Sequence, residues 1–187
     1  MDILIKQAAD AVRSGELIVF PTDTVFGIGC DPFNENALKR LYAVKKRPLE
    51  KNIPVLVNSI RTAHTLGHIS ESCEALCEKY WPGPLTVVVM RKQEKFPEIA
   101  KREEIGLRMP DHLDVLELLE LVGGALATTS ANMSGQPSIT TYEEARAAFA
   151  STVAAVLPGV AKEAEASTII DCTTDEHPVL RQGPVVM

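Results

Sequence analysis

Aromatic residues are scarce in this sequence: Phe, Trp and Tyr make up 5% of its 187 residues. That weighs against a protein whose main work is to stack nucleic-acid bases, which calls for rings interleaved on a basic face. Positive charge is also in deficit, with 19 Lys and Arg against 25 Asp and Glu and a formal net charge of -6. The balance argues against a non-specific nucleic-acid or membrane-surface binder, so any RNA contact has to be local. No apolar run approaches the roughly 20 residues that span a bilayer, and the amphipathic start around Asp2 and Lys6 does not read as a signal peptide. The expectation is a soluble cytoplasmic protein with no membrane partner. The four cysteines, Cys30, Cys73, Cys77 and Cys172, are too few and too scattered for a disulfide framework, and reduced thiols are expected.

Several catalytic signatures are missing too. There is no G-x-x-x-x-G-K-[ST] loop, no G-x-S-x-G elbow, no C-x-x-C and no H-E-x-x-H, so the familiar nucleophile and metal routes lack support. His64, His68, Cys73 and Cys77 could in principle hold zinc. However, Cys73, Leu76, Cys77 and Tyr80 recur at i, i+3, i+4 and i+7, the apolar face of a helix opening near Ser70, and core cysteines are the better reading. Gly27-Ile28-Gly29 is followed by Pro32 where a dinucleotide fingerprint needs its third glycine, which discounts a Rossmann site.

What is present is 45% hydrophobic and 24% charged residues, an ordinary globular composition for one α/β domain over 1–187. Periodicity and punctuation predict helices over 3–14, 59–67, 71–80, 113–122 and 142–150. Another helix is predicted from an N-cap at Asn34 with Ala37, Leu38, Leu41 and Val44 on its buried stripe. Strands are predicted at 17–20, 53–57, 85–90, 105–109, 125–129, 153–157, 167–172 and 179–181. The charged, irregular stretch 91–104 is expected to be a mobile surface loop. No internal repeat or linker divides the chain.

Against its acidic background the chain sets Lys45, Lys46, Arg47 and Lys51 within seven residues, at a helix end that Pro48 stops. Cations there can simply complement the helix dipole. Yet further clusters of hydroxyls and cations fall at strand ends: Thr22 to Thr24, Arg108, Thr128 to Ser138, Ser167-Thr168 and Arg181. Such groups suit a site that binds a polyphosphate and a small carboxylate and works by positioning and charge stabilisation.

Several of these clusters, in this order and spacing, resemble the YrdC-type threonylcarbamoyl-AMP synthases. The pieces are Pro21-Thr22-Asp23-Thr24-Val25-Phe26-Gly27-Ile28-Gly29, Lys45-x-Arg47-x-x-x-Lys51, Trp81-Pro82-Gly83-Pro84-Leu85-Thr86 and Gly106-x-Arg108-x-Pro110, followed by Thr129-Ser130-Ala131-Asn132-x-Ser134-Gly135, Ser167-Thr168 and Arg181-Gln182-Gly183. Phe26 stands where tyrosine is usual, Lys46 where glycine is frequent, and Asn52-Ile53 where proline often occurs. The end of the chain soon after Gly183 resembles the short form of the family.

The resemblance implies a twisted mixed sheet with flanking helices and a large concave cavity. It also implies a reaction of L-threonine, bicarbonate and ATP giving threonylcarbamoyl-AMP and pyrophosphate, for the t6A modification of tRNAs that read ANN codons. Carried over by motif, Lys45, Arg47 and Lys51 are the phosphate clamp, Lys45 and Arg47 the catalytic cations, and Ser130, Asn132, Ser138 and Arg181 complete the ATP site. Thr24, Leu56, Arg108, Thr128 and Ser167 hold the threonine, with Arg108 suited to its carboxylate. Mg²⁺ is expected with the polyphosphate, with no protein ligand assigned. Expected partners are a tRNA at the basic patch and later enzymes of t6A transfer. The alternative is a tRNA- or double-stranded-RNA-binding module of the same fold. A carbamoyl-adenylating activity on another acceptor, as in the similar domain of hydrogenase-maturation proteins, goes with zinc-finger and acylphosphatase-like segments that this chain lacks.

Overall fold

The computed structural model describes residues 2–100, 102–132, 136–161 and 165–186, apart from the side chains of Gln93 and Glu98. Asp2 accepts a hydrogen bond from the Leu4 amide and caps α1 (Ile3–Arg13), which buries Ile5, Ala8, Ala9 and Val12 before Gly15 turns the chain at a φ of 81°. Strand β1 (Ile18–Phe20) follows. Leu17 and Val19 pack with one cluster of core residues, while Ile18 and Phe20 pack with another. That is the alternation of a strand covered on both faces.

Strand β2 (Gly27–Cys30) is absent from the sequence expectations. Its glycines hide a strand signal, but they are needed where they stand: a Cβ on Gly29 would lie 2.7 Å from the Ala127 carbonyl oxygen and 2.9 Å from Thr128 Oγ1. Asn34 then caps α2 (Glu35–Lys45) by accepting from the Ala37 amide. Ala37, Leu38 and Leu41 are buried as expected, Val44 packs half-buried against the same cluster, and Lys45 is buried as well. Lys46 ends the helix in the left-handed region, at φ 48°. This is a position that suits glycine, since other L-residues pay roughly 1–2 kcal/mol there. Lys46→Gly is therefore expected to raise the urea midpoint, with a gain of up to about 1 kcal/mol after the extra chain entropy of glycine is subtracted.

Next come β3 (Val55–Val57), α3 (Ile60–Leu66), the short β4 (Gly67–His68), α4 (Glu71–Tyr80) and β5 (Leu85–Arg91). They are followed by β6 (Glu104–Arg108), α5 (Leu113–Leu121), β7 (Ala125–Ser130), α6 (Tyr142–Phe149), β8 (Ala155–Val156), β9 (Thr168–Asp171) and β10 (Val179–Arg181). One mixed sheet runs β10-β9-β5-β6-β3-β7-β2-β1-β8, with β4 paired to β5 outside that order. Cys73 and Cys77 lie on the buried face of α4 with Val87, Val89, Ile105 and Leu107, as core residues. Among the described residues no group of three His, Cys, Asp or Glu side chains could hold a metal, and no helix is long and apolar enough to cross a membrane.

The segment between β5 and β6 differs from the expected surface loop. It forms 3-10 turns at Gln93–Lys95 and Glu98–Ala100, and it buries Phe96 in the core and Arg91 over the Phe96 ring, 4.6 Å from its centroid. Its high charge conceals this one aromatic anchor.

The same pleat that buries Val87, Ile105 and Leu107 turns Thr86, Val88, Glu104, Gly106 and Arg108 to the opposite face. That face stays open and becomes the floor of a concave cavity of about 390 Å³.

Candidate active site

The cavity is walled by parts of β2, β3, β5, β6, β7, β9 and β10 and by the turn after β1. At one end sits Arg108, 7% exposed, at the C-terminal end of β6. Its Nε donates to the Gly83 carbonyl at 3.0 Å, its Nη1 to Thr24 Oγ1 at 2.9 Å, and its Nη2 to Asp23 Oδ1. Asp23 is 5% exposed, so the two form a buried ion pair. Asp23 Oδ2 has no hydrogen-bond partner among the described residues. Three of the five guanidinium protons are thus committed among the described residues, and Arg108 also lines the cavity. Thr22 accepts from the Thr24 amide and shares a hydroxyl contact with Thr24 at 3.0 Å, which fixes the polar turn.

Beside Arg108, Ser167 Oγ, just before β9, lies 2.8 Å from Thr86 Oγ1 on β5, the strand next to β6. Arg181 donates from Nε and Nη2 to the Ser167 carbonyl, at 3.0 and 2.5 Å, and from Nη2 to Ser167 Oγ at 3.1 Å. Burial, and then the neighbouring Arg108, lower the pKa of Arg181. With Arg108 balanced by Asp23, Arg181 supplies this wall's unbalanced positive charge, which attracts anions in an acidic protein.

The basic loop after α2 supplies the third cation. Arg47 donates from Nε to the Lys51 carbonyl at 3.1 Å and from Nη2 to the Asn52 carbonyl at 2.6 Å, and burial lowers its pKa. Lys45 takes a different course. Its Nζ donates to the Ser130 carbonyl at 2.5 Å, to Asn132 Oδ1 at 2.8 Å and to the Asn132 carbonyl. Its three protons are thereby used to fasten the end of β7 to the end of α2. Ser130 Oγ donates to Asn132 Oδ1 at 2.6 Å, and Asn132 Nδ2 to the Gln136 carbonyl at 2.5 Å.

Burial, and then Arg47, lower Lys45 from 10.5 to about 8. Because the unfolded chain holds that proton up to 10.5, it binds more protons than the fold between these values, and Lys45's contribution to stability rises with pH across that window. Urea melts of wild type and Lys45→Met are expected to diverge in favour of the wild type as pH climbs from about 8 to 10.5. Curves that stay parallel would contradict it.

Of the residues predicted from sequence, Thr24, Leu56, Arg108 and Thr128 line the cavity, together with Ser167, Arg47, Ser130 and Arg181. Lys45, Lys51, Asn132 and Ser138 fall outside the described wall; Lys51 is exposed, and Asn132 and Ser138 are half-buried. Ser134 and Gly135 of the expected loop motif lie outside the described residues. Asp23 belongs to the Thr22 to Thr24 cluster expected at the site, where its partner is Arg108, whereas Thr86 joins the site unexpectedly, from within the Trp81 to Thr86 motif. Phe26 lines the cavity fully buried, with no hydroxyl to offer.

No nucleophile–base pair stands among these groups. The cavity can bind anions, hydrogen-bond a small polar substrate and stabilise charge passing between them.

Residues 10–183 match the Sua5/YciO/YrdC family model, which is described as telomere recombination. The chain is 35% identical over 183 residues to the threonylcarbamoyl-AMP synthase of Pyrococcus abyssi, covering 96% of this chain and 54% of that protein. It is 34% identical to the threonylcarbamoyl-AMP synthase of Photobacterium profundum, covering 96% of this chain and 98% of that one. The structure of P. abyssi Sua5 complexed with L-threonine superposes with a TM-score of 0.91 at 34% identity, over 96% of this chain and 54% of that chain. This chain therefore spans about half the length of the P. abyssi protein and nearly all of the P. profundum one. With the matched model running from α1 to the residues beyond β10, the chain belongs to the Sua5/YciO/YrdC family.

Proposed function

We propose that the chain, read as one domain over 1–187, is a nucleotidyltransferase of the L-threonylcarbamoyladenylate synthase type, acting in the cytoplasm. The observation that carries this reading is the pairing, in one cavity, of a guanidinium–hydroxyl end with a cationic rim. Arg108, Thr24, Thr128 and Ser167 form the first, with Arg181 bonded to Ser167 beside them, and Arg47 the second. Arg108 receives the carboxylate of L-threonine on its free N–H groups, a bidentate contact that lysine could not reproduce. The threonine hydroxyl and amine then face Thr24, Thr128 and Ser167. ATP lies with its phosphates toward Arg47 and Arg181, and Lys45 holds the Ser130–Asn132 segment against which the nucleotide rests.

The threonine amine attacks the carbon of bicarbonate, forming a C–N bond with loss of water to leave a carbamate. A carbamate oxygen then attacks the α-phosphorus, and the bond to pyrophosphate breaks. The two arginines offset the charge that builds on the leaving group. Mg²⁺ arrives bound to ATP as part of the substrate. Only Glu104 contributes a carboxylate to the described wall, which fits an ion carried by phosphates rather than by a dedicated protein cage. The product is consumed by later enzymes of tRNA t6A modification, and any tRNA contact falls on the exposed Lys46 and Lys51.

The experiment is pyrophosphate release from Mg-ATP by the purified chain, with and without L-threonine and bicarbonate. Release that needs both, and is not matched by serine, supports the synthase. No turnover alongside tight, salt-sensitive RNA binding supports the RNA-binding module instead.

A further inference from the structure

Arg91, at the end of β5, is 6% exposed, yet no carboxylate among the described residues pairs with it. Its Nη2 donates to the Glu104 carbonyl at 3.0 Å, and its guanidinium covers the Phe96 ring. Its Nε is buried without a hydrogen-bond partner among the described residues. A second orphan is close by in the fold: Asn52 donates from Nδ2 to the same Glu104 carbonyl at 3.2 Å, while its Oδ1 is buried and unpartnered. One atom is a donor and the other an acceptor. Both residues line the same small cavity, with Pro32, Tyr42, Val55 and Ala127 among its other walls, and its free volume of about 10 Å³ matches the space that the centre of a single water occupies. A buried polar pair of this kind costs stability unless something bridges it.

Asn52 connects this cavity to the candidate active site. It lines both, and its backbone carbonyl accepts from Arg47 Nη2 at 2.6 Å. The loop that carries Arg47 is held from the same side by Tyr42, whose hydroxyl donates to the Lys51 carbonyl at 3.1 Å, and by Arg102, whose Nη2 donates to the Leu49 carbonyl. We propose that one buried water, accepting from Arg91 Nε and donating to Asn52 Oδ1, completes a brace through which Arg91 and Asn52 position Arg47 at the cavity rim. Arg91 and Asn52 are then positioning residues, and the stretch 91–104 serves as a strut for the phosphate-binding loop. This rests on the synthase reading insofar as Arg47 is the residue that meets ATP.

Two measurements test it. A crystal structure of the wild-type chain is expected to show one ordered solvent peak within hydrogen-bond distance of both atoms, whatever the protein's activity; a dry cavity overturns the proposal. Calorimetric ATP binding is then compared for wild type, Arg91→Met, Asn52→Ser, Arg47→Ala and the Arg91→Met/Arg47→Ala pair. Arg91→Met and Asn52→Ser are expected to weaken ATP binding by roughly threefold to tenfold while leaving L-threonine affinity unchanged. Adding Arg91→Met to Arg47→Ala is expected to produce no further loss. Fully additive losses, or equal losses for both ligands, overturn the positioning role, and Asn52→Ser keeps the test open if Arg91→Met does not fold. A wild type that binds no ATP sinks the synthase reading, and the solvent peak alone then decides whether the brace exists.

Discussion

Asp23→Ala is expected to lower folding stability by about 3–5 kcal/mol, because it strands the Arg108 guanidinium in a buried site without its counter-charge. Arg108 would keep Thr24 and the Gly83 carbonyl as acceptors, but lose the partner that fixes Nη2. In the proposed reaction this freedom falls on the group that meets the threonine carboxylate, so KM for L-threonine is expected to rise while KM for ATP holds. Asp23→Asn is the informative companion. An amide oxygen can still accept from Nη2, so much of the fold should be retained, while the weaker, uncharged contact leaves Arg108 less well aimed. Urea melts and the two KM values measure both effects. A wild-type midpoint together with a wild-type threonine KM in Asp23→Ala would mean the pair neither supports the fold nor aims the arginine.

Arg47→Ala carries the second large effect. A charge-assisted contact to phosphate is worth about 1.5–3 kcal/mol, so kcat/KM is expected to fall by roughly tenfold to more than a hundredfold. Two further bonds go with it, those to the Lys51 and Asn52 carbonyls, which loosens the basic loop as well as removing its charge. Arg47→Lys should recover only part of the rate, since an ammonium cannot reproduce the fork that spans both carbonyls and still faces the cavity. Unimpaired turnover in Arg47→Ala would remove this residue from the ATP site.

Where the chain announces its own geometry, its elements were legible from residue pattern alone. Asn34 with Ala37, Leu38 and Leu41 gives an N-cap and a buried face, and α2 follows. The Leu17 to Phe20 run gives a strand with no exposed face. Where small residues satisfy a neighbour's needs, the pattern is silent. Gly27 and Gly29 build β2 because β7 lies too close for side chains, and no hydrophobic period marks that. Phe96 is one aromatic among charges, so its anchoring of 91–104 depends on partners that fold around it.

In the cavity lie Thr24, Arg47, Arg108, Thr128, Ser130, Ser167 and Arg181, to which motifs at strand and helix ends pointed, and Leu56, to which only the family resemblance pointed. The motifs could not reveal that Asp23 pairs with an arginine 85 residues away. Nor could they reveal that the protons of Lys45 go to carbonyls at the end of β7. Motif spacing tells which residues share a site, whereas the direction of each bond is set by the packed sheet.

In the proposed reaction one cavity joins three substrates through a carbamate. It is tested most directly by supplying ¹³C-bicarbonate with L-threonine and Mg-ATP and following the products by mass spectrometry. A threonylcarbamoyl-AMP that carries the label is expected, formed in step with pyrophosphate and lost in Arg108→Ala. Pyrophosphate released with no labelled adenylate, or a labelled adenylate formed equally well by Arg108→Ala, would contradict it.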